Sequence, residues 1–346
     1  MREELPFVSV VMPVRNAERY IGDAIESVLS QDYPHEKMEI VVADGMSEDN
    51  TKSIVESYKD RDIVIRIIDN KGRTVPYAMS IAVLSAKGEI IVRLDGHARL
   101  PSDYIGTMVG VLLSGRADCA GGGLNTIGIG KVGEAIAVVM SSIVGVGASF
   151  RTADKEEFVD TVAFGAYWRD DILKAGEYIP YLMRNSDEEH NYRLREMGKR
   201  IMVLSQHRVI YIARRGIKGL FKQMFGYGFF KPIVLYLQPR FLKIRQILPL
   251  FFIMLFGPLL SSIIFNKSII FYLSIIPLVL YLLVLILFIF KSIKKNGTLI
   301  GLLSGISTVI MHSSYGIGEL IGLLNLLMLI VKGDTGVLKR SWFRFN

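Results

Sequence analysis

The chain has 346 residues, 51% of them hydrophobic, and its 41 Lys and Arg against 33 Asp and Glu leave a formal excess of +8. A lone cysteine, Cys119, excludes an intramolecular disulfide and suits a reducing compartment for the soluble part. Near residue 246 the composition turns abruptly apolar, which excludes a wholly soluble chain; there is no internal repeat, low-complexity tract or zinc-ligand spacing.

The charged start, Met1 to Pro6, reads as lacking a secretory signal and leads straight into a first strand. Short apolar runs at Val8 to Val14, Glu39 to Ala43, Ile63 to Ile68 and Glu89 to Leu94 alternate with helical patterns at Ala17 to Gln31, Asp49 to Lys59 and Val75 to Ala86. That spacing predicts parallel βαβ units, whose ligands bind outside the carboxyl ends of the strands. Polar residues gather at those ends: Arg15 and Asn16, then Asp44, then Asn70 to Arg73, then Asp95 and His97. Asp95-Gly96-His97 is a place for a divalent cation and a phosphate, and equally an Asp-Gly turn before a surface histidine. No Gly-x-Gly-x-x-Gly follows the first strand and no Gly-Lys-Ser/Thr occurs, so dinucleotide-binding and P-loop folds fit poorly.

The glycine-rich stretches Ala120 to Leu124 and Gly145 to Arg151 read either as backbone approaching a sugar closely or as turns. Thr152 to Glu157 is polar and unpatterned, a mobile-loop candidate. Ser186 with Glu189 three residues on predicts a capping box opening a helix. Its first-turn acids, Asp187 to Glu189, are ordinary complements of a helix dipole on composition alone.

Residues 211 to 246 hold eight basic residues, no acid, and interleaved aromatics, which predicts an amphipathic stretch lying on an anionic membrane surface, with Lys218, Lys222 and Lys231 facing it. Nucleic acid is discounted, because the patch abuts an apolar run and no nucleic-acid motif is present. Ile247 to Phe265 and Ser268 to Phe290 are each long enough to span, joined by an Asn266-Lys267 turn; Thr298 to Val331 runs 34 residues with only His312 and Glu319 interrupting it. Lys291, Lys294 and Lys295 after the second run, and Lys339, Arg340 and Arg344 at the end, would both be cytoplasmic by the positive-inside rule. We therefore expect a hairpin breaking at His312 to Gly318 and four spans, with three as the alternative. His312 and Glu319 then either contact an acceptor inside the bilayer or face water at the turn.

Val10 to Asn16, Val42 to Thr51, Asn70 to Arg73, Ala86 to Glu89 and Leu94 to His97, in that order, resemble the family 2 glycosyltransferases of the GT-A fold. The likeness runs on through Val159 to Gly165, Asp187 to Arg193 and Gln223 to Gly228, covers roughly residues 5 to 240, and is greatest to transferases of succinoglycan-type exopolysaccharide assembly. It implies an α/β catalytic domain with a mostly parallel sheet over 1–213, to which composition and charge add an interfacial segment at 214–245, transmembrane helices at 246–332 and a basic cytoplasmic tail at 333–346. It implies that Asp44 binds the nucleotide base, that Pro13, Arg15 and Arg73 lie near the donor, and that Asp95 and His97 form the metal and diphosphate motif, usually Asp-x-Asp. Histidine there favours Mn²⁺ over Mg²⁺. Gly45 stands where many relatives carry another acid, and Ser186 where they carry an acid before the base. The base itself falls on Asp187, six residues before Arg193-Leu194-Arg195. The expected activity is inverting transfer of a sugar from a nucleoside diphosphate, a UDP-hexose by preference, to a polyprenyl-diphosphate-linked acceptor at the cytoplasmic face of the membrane. The alternatives are a processive synthase, opposed by the missing Gln-x-x-Arg-Trp after residue 200, and an inactive nucleotide-sugar-binding subunit, which the Asp-Gly-His departure would allow.

Overall fold

The structure is a computed structural model, and it describes residues 4–145, 149–265 and 268–338. The first residues of the charged start, the centre of the Gly145 to Arg151 stretch, the Asn266-Lys267 turn and the basic tail from Lys339 lie outside the described residues. The chain divides into two compact units: Met1–Asn125 with Ala148–Tyr211 and Gly336–Asn346, and Thr126–Gly147 with Ile212–Thr335.

The first unit is built on one mixed sheet. Strands β1 (Val8–Val14), β2 (Met38–Asp44), β3 (Val64–Asp69) and β4 (Ile90–Arg93) are parallel, linked by α1 (Ile21–Leu29), α2 (Thr51–Glu56) and α3 (Val75–Ser85). β1, β2 and β4 are buried along their whole length, the condition that turns a strand into a continuous Val/Ile run. The antiparallel part comprises β5 (Ala98–Arg99), β6 (Cys119–Ile127), β7 (Glu157–Phe158), β8 (Ala166–Trp168) and β9 (Ile201–Ile212), in the order β3-β2-β1-β4-β8-β6-β9-β5 with β7 against β9. Helices α4 (Tyr104–Leu113), α6 (Arg169–Ala175) and α7 (Ser186–Glu196) complete this unit.

The glycine run at 121–123 is neither a sugar loop nor a turn. It lies inside β6, where a Cβ on Gly122 would strike the His207 carbonyl of β9 and one on Gly121 would meet Val162 at 2.9 Å. Tyr104 seals the same spot from α4: fully buried, it donates to the Phe164 carbonyl at 2.6 Å and accepts from Gly122 N at 2.9 Å.

The second unit is helical: α5 (Gly130–Met140), α8 (Ile217–Leu237), α9 (Ile244–Ile264), α10 (Ser268–Asn296) and α11 (Thr298–Val331). α10 and α11 are long and apolar enough to cross a membrane, and α9 contains a shorter apolar stretch, Gln246–Ser262. Three expectations change here. The hairpin at His312 to Gly318 is absent, because Thr298–Val331 is one continuous helix. Its glycines serve as notches: Cβ atoms on Gly316, Gly318 and Gly322 would strike the carbonyls of Pro249, Phe225 and Phe229, so neighbouring backbones lie directly on them. The units part at Tyr211 and Ile212, beside the expected 213, but the catalytic span is not continuous, since residues 126–145, with α5, belong to the helical unit; the His312 ring Nε2 meets the Val144 carbonyl at 2.7 Å. Nor does Lys231 face outward with the other two lysines. One side of α8 is buried, Lys231 included at 4% exposed, whereas Lys218 and Lys222 are exposed.

Candidate active site

Pairing in register places Val14, Asp44 and Asp69 side by side at one end of the sheet, because β1, β2 and β3 all finish there. Pro13 lies inside β1 opposite Ala43 and is buried. Asp44 is fully buried; its Oδ2 accepts from Ser47 N at 2.9 Å and lies 3.7 Å from Lys52 Nζ, while its Oδ1 has no hydrogen-bond partner. A desolvated carboxylate oxygen is costly unless a donor comes to it, so this corner is poised to accept an N–H. Lys52 also reaches Asp69 Oδ1 at 2.8 Å and by that hydrogen bond holds the Asp69 carboxyl below its usual range. Gly45 lies under Arg15: a Cβ would come within 3.0 Å of the Arg15 Cβ and 3.2 Å of the Val14 carbonyl. Both Arg15 and Arg73 are exposed.

Backbone strain marks the same region. Among the described residues the non-glycines at positive φ are Asn16 (50°), Met46 (56°), Arg73 (55°) and Asn185 (60°). The first three follow β1, β2 and β3, and the fourth precedes Asp187. Each costs on the order of 1–3 kcal/mol, and such outliers collect at working sites.

Asp95 follows β4, and Asp187 sits in the first turn of α7. What joins them is Arg93. Its guanidinium holds Asp95 through Nε to Oδ1 at 3.0 Å and Nη2 to Oδ2 at 3.5 Å, while Nη1 lies 3.6 Å from Asp187 Oδ2. Arg93 is 8% exposed, and its Nη1 makes no hydrogen bond. Burial works against its charge, but the Asp95 and Asp187 carboxylates outweigh that and raise its pKa further. The Asp187 side chain is 36% exposed, open enough to meet a substrate. The His97 ring packs edge-on against Tyr211 at 5.1 Å, and Tyr211 in turn carries the Arg151 guanidinium over its face at 5.3 Å.

The capping box at Ser186 does not form. Asn185 is the residue before the helix, in the left-handed region, and no side chain caps that end. Glu189 instead turns into the protein, where Arg193 donates to its Oε2 from Nε at 3.1 Å and Nη2 at 2.9 Å with both side chains buried. Arg193 further holds the Ala175, Gly176 and Glu177 carbonyls. Asn191 accepts from the Tyr167 hydroxyl at 3.1 Å and donates to Thr161 Oγ1 at 2.6 Å. His190 stacks on Tyr178 at 4.2 Å, and burial pushes the Tyr178 hydroxyl up to about 12. The polar helix is therefore a buried pedestal that presents Asp187.

The glycosyl transferase family 2 model matches residues 9–168. The succinoglycan biosynthesis protein ExoA of Rhizobium meliloti is 30% identical over 223 residues, 63% of this chain and 67% of that protein. The chain belongs to glycosyl transferase family 2. A dolichyl N-acetyl-alpha-D-glucosaminyl phosphate 3-beta-D-2,3-diacetamido-2,3-dideoxy-beta-D-glucuronosyltransferase of Methanococcus voltae is 26% identical over 324 residues, 87% of this glycosyltransferase and 99% of that protein. The mannosyltransferase PcManGT from Pyrobaculum calidifontis, solved with GDP-Man and Mn²⁺, superposes with a TM-score of 0.53 at 16% identity, covering 98% of this chain and 89% of its own, and shares the GT-A-like fold.

No cluster of three or more His, Cys, Asp or Glu side chains able to hold a metal is present among the described residues of this glycosyltransferase. The Asp95 and His97 pair offers one carboxylate and one imidazole, a donor set that fits a divalent cation with positions left for a diphosphate. Sequence reasoning missed Arg93 and the Glu189–Arg193 pedestal. Arg93 was hidden within an apolar run, where a lone arginine in a buried strand was the available signal; Glu189 and Arg193 have the sequence pattern of solvated helix charge.

Proposed function

We propose that this glycosyltransferase carries a sugar from a nucleoside diphosphate, a UDP-hexose by preference, to a polyprenyl-diphosphate-linked acceptor at the cytoplasmic face of a membrane, with inversion. The observation that carries it is the convergence of Asp95, from the sheet, and Asp187, from α7, on the one guanidinium of Arg93. In this reading Asp44 accepts from the nucleotide base, with Pro13, Arg15 and Arg73 beside the donor. Asp95 and His97 would hold a divalent cation, Mn²⁺ by preference, whose charge would offset that of the departing diphosphate. Asp187 takes the proton from the acceptor hydroxyl as its oxygen bonds the anomeric carbon and the bond to the diphosphate breaks. The named activity of the Methanococcus voltae relative supports a lipid-linked acceptor, the succinoglycan biosynthesis named for the Rhizobium meliloti relative supports polysaccharide assembly, and the Mn²⁺ of the Pyrobaculum calidifontis neighbour supports the cation. The apolar helices α10 and α11 support a multi-pass anchor, and exposed Lys218 and Lys222 support contact with anionic lipids.

The test has two arms. Purified protein with Mn²⁺ is offered UDP-glucose, UDP-N-acetylglucosamine and GDP-mannose, and release of nucleoside diphosphate names the donor. Asp187→Asn keeps the shape and removes proton acceptance, so turnover falls by about two to four orders of magnitude while nucleotide affinity holds. Full turnover of Asp187→Asn, or full activity in excess chelator, refutes the respective assignment.

A further inference from the structure

We propose that Arg93 is a positioning residue that competes with the cation for Asp95 and, once displaced, fixes Asp187; this rests on the reading of the site given above. Three observations carry it. Arg93 is more than nine-tenths buried, so its guanidinium has few ways to turn. Its backbone is held on both sides, as its N donates to the Gly165 carbonyl at 3.1 Å while the strand pairs in register with Val11. And its contacts are unequal: two hydrogen bonds to Asp95, but only a 3.6 Å approach to Asp187 from an Nη1 that makes no hydrogen bond.

The asymmetry has a direction. The Asp95 oxygens that accept from Arg93 are those a cation would take, and a cation cannot share them with a guanidinium without repulsion between like charges. Displaced from Asp95, the buried guanidinium still needs an anion, and Asp187 is the second carboxylate beside it. A shift of a few tenths of an ångström in Nη1 turns the 3.6 Å approach into a hydrogen bond and fixes the base. Cation binding at one carboxylate thus orders the other, and without the cation the base is loosely held.

This assignment predicts a combination that a purely structural role does not. Arg93→Met removes the competitor, so Mn²⁺, followed by electron paramagnetic resonance with UDP in one arm and GDP in another, binds about three- to tenfold more tightly than to the wild type. In the same protein, kcat for Mn²⁺-dependent hydrolysis of the best donor falls roughly 10- to 100-fold while KM changes little. Arg93→Lys keeps a charge that cannot span both carboxylates and serves if Arg93→Met misfolds: its kcat falls with KM unchanged, and its Mn²⁺ affinity stays within about threefold of the wild type. Parallel loss of Mn²⁺ affinity and rate in both variants, or unchanged kcat in either, overturns the proposal. A wild-type chain that binds no Mn²⁺ with either nucleotide overturns the metal reading itself, and the two failures are thereby told apart.

Discussion

Replacing Arg193 by methionine tests whether the helix bearing Asp187 is held from within. The Arg193 guanidinium donates at 3.1 and 2.9 Å to Glu189 Oε2, at 2.6 Å to the Ala175 carbonyl, at 3.0 Å to that of Gly176 and at 2.8 Å to that of Glu177. Both charged side chains are out of water, at 2% and 0% exposure. Methionine fills much of the volume but leaves the Glu189 carboxylate buried without its counter-charge, a loss of about 3–5 kcal/mol. At about 2–4 °C per kcal/mol for a domain of this size, the melting temperature should fall by about 6–20 °C. The assay is thermal unfolding of the full chain in detergent, with Glu189→Gln combined with Arg193→Met as the companion. Removing both charges should recover a measurable part of the loss, because the cost lies in the unpaired ion. First-turn acids acting only through the helix dipole would be worth about 0.3–1 kcal/mol. A fall smaller than about 4 °C, or a double variant no better than the single one, refutes the buried-pedestal account.

His97→Asp should retain hydrolysis and shift its preference from Mn²⁺ toward Mg²⁺ in a metal titration, because oxygen replaces nitrogen at that position. Gly228→Val should lower the melting temperature of the detergent-solubilised chain by at least the equivalent of about 1–3 kcal/mol, since any Cβ there meets the Tyr315 carbonyl of α11 and backbone cannot step aside. Lys218→Gln with Lys222→Gln should raise KM for a lipid-linked acceptor in anionic nanodiscs by about fivefold for each lysine, at about 1 kcal/mol apiece, and leave donor hydrolysis unchanged. Equal loss of both activities would point instead to a folding defect.

Strands β1, β2 and β4 were legible because a strand covered on both faces is apolar almost throughout, and its ends must be where polar residues resume. The strand-end positions of Asp44, Asp95 and the turn before Arg73 were therefore legible from pattern alone. The resemblance added Asp187, whose bare sequence context reads as ordinary first-turn charge. Arg93 and the Glu189–Arg193 pair were not legible, since sequence pattern reports polarity and not partners: a charge in a strand and charges in a polar helix are both buried here because each meets its opposite across the fold. The continuity of Thr298–Val331 was misjudged for a related reason. Loop charges count crossings, but whether a glycine breaks a helix or admits a neighbouring backbone depends on what lies against it, and Gly316, Gly318 and Gly322 each face another helix's carbonyl. The same holds for residues 126–145, which sit inside the catalytic sequence and fold with the helical unit. Local pattern, then, determined which residues could reach a ligand at the strand ends; long-range burial, which brings together charges and glycines distant in the chain, decided what holds them there.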